Sequence, residues 1–165
     1  MSATWNESLL SRWISQYGDS ILRMCYLYLK DYQLAEDVTQ ETFLQAHKKY
    51  HTFKHQSNEK TWIMQIAINR CKNCMRTHWF RQASFDTLEE TKDEKNHYEF
   101  ILDKNAITPE IMKLPVKYRD VILLYYYQEL TVKEMAFVLN QKESTILQRL
   151  KRAREQLKPQ LQEVL

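Results

Sequence analysis

The chain has 165 residues, a formal net charge of +3, 44% apolar residues and 27% charged ones, values that suit one globular domain or two small ones and exclude a disordered chain. One glycine, Gly18, and three prolines, Pro109, Pro115 and Pro159, leave little with which to build tight hairpins or phosphate-cradling loops, which disfavours β-barrels, dinucleotide folds and P-loops together. The longest apolar run, Val121 to Tyr127, is too short to cross a membrane, and Met1 to Leu10 lacks the basic-then-apolar order of a signal peptide.

Ile21, Met24, Cys25, Tyr28, Leu29 and Tyr32 recur at the three-and-four spacing of a core helix. A second helix is expected from about Gln33 to Tyr50, with Ala35, Val38, Thr42 and Ala46 inward. Asp37, Gln40, Glu41 and Leu44 then fall at i, i+3, i+4 and i+7 on another side, an acidic stripe that either docks a basic partner or simply faces water. The stretch from Asp31 to Glu41 holds four acids and no lysine or arginine.

A basic block follows. From Gln45 to Gln82 there are eight lysines and arginines against Glu59 alone. After a polar interruption at His51 to Lys60, helical periodicity resumes from Thr61 to about His78, with Ile63, Ile66, Ala67, Cys71 and Cys74 inward. Gln65, Asn69, Lys72, Asn73 and Arg76 share the opposite side, where amides can bond base edges and cations neutralise phosphates. Just before them, Phe53, His55, Asn58 and Trp62 lie among Lys54 and Lys60, a mixture able to hold unstacked bases of a single strand. Trp62 serves equally well as a core anchor.

Residues 83–105 carry seven acids and three lysines, which reads as an acidic linker over 81–105. A second module starts near Ile107, with Thr108 and Pro109 opening a helix. Tyr118, Val121, Ile122 and Tyr125 give the next helix an apolar face. Thr131 and Glu134 have capping-box spacing ahead of a short helix buried through Met135, Ala136, Val138 and Leu139, and Asn140 suits a left-handed exit. The final helix, about Glu143 to Leu157, buries Ile146, Leu150, Ala153 and Leu157. Thr145, Gln148, Arg149 and Arg152 line another side, with Lys151, Arg154 and Lys158 beside them. Short capped helix, tight turn and basic amphipathic helix describe a helix-turn-helix whose second helix enters a major groove. The fold expected is all-α, with two small helical domains, 1–80 and 106–165, joined by a flexible linker.

These residues resemble a known family over nearly the whole chain, the two-domain bacterial sigma factors of the extracytoplasmic-function (ECF) group. "AEDVTQETFLQA" from Ala35 to Ala46 is similar to region 2.2, which implies that Asp37, Gln40, Glu41 and Leu44 bind the clamp helices of the RNA polymerase β′ subunit. "TWIMQIAINRCKNCMR" from Thr61 to Arg76 resembles regions 2.3 and 2.4. By that resemblance, Lys54, His55, Asn58, Lys60, Trp62, Gln65, Asn69, Lys72, Asn73 and Arg76 recognise and open the minus-10 element. "LPVKYRDVILLYYYQELTVKEMAFVLN" with "ESTILQRLKRARE" resembles region 4, implying minus-35 recognition through Thr145, Gln148, Arg149, Lys151 and Arg152.

The resemblance further implies core polymerase, including its β subunit, and promoter DNA as partners, with control by an anti-sigma factor. A cytoplasmic protein with no membrane insertion, no cofactor and no catalysis is expected. The chain departs from the family pattern at Asn140, Gln141, Lys142 and Ser144 in the turn, at Leu147 and Gln148, and at Asn73, positions that tune promoter choice. A linker of about 25 residues reaches at most roughly 80–90 Å, enough for promoter elements roughly 50–60 Å apart at 3.4 Å per base pair.

Two other readings stay open on residue patterns alone, a free-standing regulator whose first module senses a ligand or oligomerises and a polymerase-docking protein without promoter choice. Cys71, Cys74 and His78 form CxxCxxxH, but both cysteines extend a core face and no fourth ligand is near in sequence, so buried thiols are expected rather than a metal. Three cysteines are also too few, and odd in number, for a disulfide scaffold.

Overall fold

The computed structural model describes residues 7–82 and 108–164, so the predicted acidic linker lies almost entirely outside the described residues. The chain divides into two compact units, Met1–Leu88 and Glu89–Leu165. Among the described residues every regular element is helical, and no helix there is long and apolar enough to cross a membrane.

The first unit packs three helices, α1 (Glu7–Leu29), α2 (Tyr32–Lys49) and α3 (Glu59–Gln82). Met24 to Tyr28 are five consecutive buried residues, and α1 packs against both other helices. The chain turns at Lys30, whose φ is 60°, and Asp31 then caps α2 by accepting the Leu34 N–H at 3.0 Å. Ala35, Val38, Thr42 and Ala46 are buried as expected. The Thr42 hydroxyl donates to the Val38 carbonyl at 2.7 Å, so the core carries this polar side chain without an unmet hydrogen bond.

A 3-10 turn, Tyr50–Thr52, leads from α2 to a loop. Asn58 Oδ1 accepts the Thr61 N–H at 2.8 Å, and this cap starts α3 at Glu59, ahead of the expected Thr61. The α3 seam also differs in detail from the sequence expectation. Ile63, Ala67 and Cys71 are buried, but Ile66 and Cys74 lie half-exposed at its edge, and Thr61, Met64 and Ile68 are buried instead. Two helices bury a wider arc of α3 than one stripe, and that arc is rotated toward 61, 64 and 68.

The second unit holds α4 (Thr108–Lys113), α5 (Val116–Ile122), α6 (Val132–Leu139) and α7 (Glu143–Val164). Arg119 Nη1 donates to the Met112 carbonyl at 3.0 Å, tying α5 to α4. After Ile122 the helix widens into a π-helical turn, Leu123–Tyr127. The Gln128 N–H reaches the Leu123 carbonyl at 3.1 Å there.

The capping box at α6 is complete. Thr131 Oγ1 accepts the Glu134 N–H and Glu134 Oε1 accepts the Thr131 N–H, each at 3.1 Å. Asn140 leaves α6 in the left-handed region at φ 52°, and the Gln141 N–H closes on the Ala136 carbonyl at 3.0 Å. Ile146, Leu150, Ala153 and Leu157 bury one side of α7. That helix continues past Leu157, through Pro159. Proline deprives the carbonyl of Glu155 of its partner, and because Glu155 is exposed, water can take its place.

Candidate nucleic-acid interface

The predicted acidic stripe is a real surface. Asp37, Gln40, Glu41 and Leu44 are all exposed along one side of α2, and Leu44 keeps 47% of its surface in water. Glu41 accepts from Arg70 Nη1 of α3 at 2.8 Å, and Arg70 Nε donates to Gln45. Asp37 is engaged only loosely within its helix, by Gln33 Nε2 at 3.4 Å. A groove of about 1140 Å³ along α2 has Glu41, Leu44, Lys48 and His51 on its walls.

Cys74 stands near this surface. Its thiol pKa is raised by burial and by the charges of Asp31, Glu41 and Asp37. Cys25 and Cys71 are buried outright.

On α3 the structure gathers part of the predicted strand-binding set. Trp62, Gln65, Asn69 and Asn73 line one cleft of about 400 Å³, joined by Gln45, Lys49, Thr52, Ile66 and Arg70. Polar amides, two cations and an indole in one concavity can hold a base and its phosphate together. Lys54, His55, Asn58, Lys60, Lys72 and Arg76 do not line it. Asn58 has its carboxamide oxygen engaged in the α3 cap. Arg76 donates to the Asn73 side chain.

Trp62 is shared between the packed interior and the cleft. It is half-buried and packs within an aromatic cluster, 5.0 Å from Phe53 and 6.4 Å from both Tyr50 and Trp13 between ring centroids, yet it also forms a wall of the cleft. His55 lies 4.4 Å from the Phe53 ring and adopts φ 56°, in the left-handed region. Within the cluster, the fully buried Trp13 donates from Nε1 to Glu59 Oε2 at 2.6 Å, and Arg12 Nη2 reaches the same oxygen at 3.0 Å. Trp13, Glu59, Lys49 and Arg70 were not singled out by sequence spacing. Trp13 and Glu59 bond each other across helices, Arg70 bonds to α2 and Lys49 meets α3 side chains in the cleft, and a periodicity within one helix carries no signal of such meetings.

In the second unit Gln148, Lys151 and Arg152 are exposed on α7, with Thr145 and Arg149 half-buried. The tight turn before α7 leaves α6 through Asn140 in the left-handed region, which asparagine tolerates. Arg152 first, and then Lys117, hold the Tyr118 phenol's pKa below its ordinary value. Arg154 is drawn aside as well. Its Nε donates to the Tyr126 hydroxyl at 2.8 Å, and its guanidinium lies 5.3 Å from the Tyr125 ring centre.

Comparison with known proteins agrees with this geometry. The Sigma-70 region 2 model matches residues 13–81 and the Sigma-70, region 4 model matches residues 105–157. The chain is similar to the ECF RNA polymerase sigma factor SigM of Bacillus subtilis, 33% identical over 147 residues that cover 86% of this chain and 88% of SigM. It is also similar to SigW of the same organism, 30% identical over 90% of this chain and 86% of SigW. Among solved structures, the sigma factor RpoE in complex with the anti-sigma factor NepR from Bartonella quintana shares the fold. Its TM-score is 0.74 and its identity 20%, over 92% of this chain and 96% of that one. CnrH in complex with the cytosolic domain of CnrY gives a TM-score of 0.71 and 19% identity, over 98% of this chain and 92% of that one. With both halves matched by sigma-70 models and most of its length aligned with SigM, the chain belongs to the extracytoplasmic-function group of RNA polymerase sigma factors, which direct promoter-specific transcription.

Proposed function

We propose that the two units divide promoter recognition between them. The first, residues 1–80, docks core polymerase through Asp37, Gln40, Glu41 and Leu44 and captures the opened minus-10 strand along α3. The second, residues 106–165, holds the minus-35 duplex through α7, and residues 81–105 tether the two. The observation that carries this reading is the cleft on α3, where Trp62, Gln65 and Asn69 meet Lys49 and Arg70. An indole face stacks on a base, amides bond its edge and cations sit by its phosphate.

Melting on this reading is differential binding. Holding unstacked bases offsets a cost of a few kcal/mol per disrupted step, and the equilibrium shifts only by the difference in affinity for open and closed DNA. No residue of this chain is asked to make or break a bond. Sigma factors are in general non-catalytic subunits, and the chain acts in the cytoplasm, where the polymerase and its template are. Family membership also supports an anti-sigma factor as a partner that covers one or both units.

Run-off transcription with purified core polymerase tests the proposal. Adding this chain yields promoter-dependent transcripts that require both elements. Initiation that ignores the minus-35 element, or none at all under permissive conditions, overturns it.

A further inference from the structure

We propose that Leu147 is a base-reading residue of α7, one that contacts the 5-methyl group of a thymine in the upstream promoter element. The inference rests on the minus-35 reading of the second unit given above. Over residues 143–158 every other apolar side chain of α7, namely Ile146, Leu150, Ala153 and Leu157, is buried in the core. Leu147 stands about 100° around the helix from Ile146 and is 56% exposed, more than any other large apolar side chain described. Ser144 and Lys151, at i−3 and i+4, share its side, and both are exposed, as is the neighbouring Gln148. It therefore lies in the early part of the recognition helix, where a helix-turn-helix makes its base contacts.

A lone surface leucine is ordinary in a free protein. It stops being neutral once α7 enters a groove, because its side chain is then stripped of water against base edges. The one methyl group on the major-groove wall is that of thymine, whereas cytosine carries only hydrogen at the same carbon, beside its N4 donor and its partner's O6 and N7 acceptors. Against a G·C pair, Leu147 would cover those polar groups and offer them no partner, which is unfavourable. Against thymine it buries methyl on methyl. The same side chain thus favours thymine and rejects cytosine at one position, an attractive and a repulsive element together. It neutralises no phosphate, so it leaves the salt dependence of binding unchanged.

The test uses the full chain with core polymerase and a duplex promoter library randomised across the upstream element, with bound sequences read out. The wild-type chain shows a thymine-preferring position that L147A flattens, while preferences at other positions persist. Replacing that thymine by uracil removes only the methyl group and lowers wild-type affinity about threefold to fivefold, with no effect on L147A. Thymine preferences that all survive L147A, upstream preferences that include no thymine, or uracil bound as well as thymine by the wild type would each overturn the inference. A wild-type chain with no upstream preference at any position overturns the minus-35 reading and this one with it. The uracil arm needs no variant, and Leu147 lies outside the core, so misfolding does not confuse the result.

Discussion

Arg70 on α3 donates to Glu41 on α2 at 2.8 Å, and this ion pair joins the two proposed working faces of the first unit. Glu41 belongs to the stripe proposed to dock polymerase, whereas Arg70 lines the cleft proposed to hold the opened strand. Both are partly exposed, with side chains 36% and 56% accessible for Arg70 and Glu41, so the pair contributes less than about 1 kcal/mol to stability. Its value is positional, since it holds the guanidinium at the rim of the cleft.

The first prediction follows from that low cost. Asp37→Ala combined with Glu41→Ala lowers affinity for core polymerase about tenfold or more, as loss of interface contacts worth roughly 1–2 kcal/mol does. It moves the thermal midpoint by only a few degrees. Competition binding with a labelled chain, beside a melting curve, checks both parts. Unchanged affinity removes α2 from the interface.

Trp13 and Glu59 set the second. Trp13 is fully buried and its indole N–H has Glu59 Oε2 at 2.6 Å. Glu59→Ala leaves that donor unpaired and costs about 1–3 kcal/mol, while Glu59→Gln, which keeps a carbonyl acceptor, recovers most of it. All four tryptophans precede residue 83, so tryptophan fluorescence during urea unfolding reports on the first unit. Equal midpoints for the two variants would show that the bond contributes nothing.

At the α6–α7 turn, the left-handed Asn140 predicts a sign change between two small substitutions. Asn140→Ala destabilises the second unit by about 1 kcal/mol, because a Cβ without a polar group is penalised at this φ. Asn140→Gly is neutral or slightly stabilising. Circular dichroism melts of the two variants distinguish them, and alanine as stable as glycine would refute the prediction.

Cys74 gives a pH-dependent prediction. Burial first, and then the charges of Asp31, Glu41 and Asp37, raise its thiol pKa, so the proton is held more tightly in the folded state than in the unfolded one. The resulting stabilisation is fully present below the ordinary thiol pKa and is lost as pH rises through the folded value. Alkylation of Cys74 at mildly alkaline pH is therefore slower than that of an unfolded thiol, since the thiolate is the nucleophile. Asp37→Asn with Glu41→Gln speeds it. Site-resolved mass spectrometry of the alkylated chain measures this, and a rate equal to that of the unfolded chain would contradict it.

Arg149 supplies a test of the second unit. Arg149→Ala impairs minus-35-dependent transcription and leaves polymerase binding intact. Its DNA affinity becomes less salt-dependent, by a slope of about one if the side chain contacts a phosphate. Equal losses in both assays point to a different contact surface.

Residue order alone determined a good deal about this chain. The buried faces of α2 and α7, the capping box at Thr131 and Glu134, the left-handed Asn140 and the exposed acidic stripe are all local. Each depends on side chains within about a dozen residues on one element, and helical geometry turns such spacing directly into faces. Whatever needed two elements was decided only by the tertiary structure. The Trp13–Glu59 bond spans 46 residues, the Arg70–Glu41 pair 29 and the Arg154–Tyr126 bond 28, and no helical period encodes such separations. The cleft around Trp62 exists because α3 packs across α2 and carries Gln65 and Asn69 to Gln45 and Lys49. Helix packing angle and rotation set that meeting, and they follow from the fit of whole buried surfaces rather than from the spacing within any one of them.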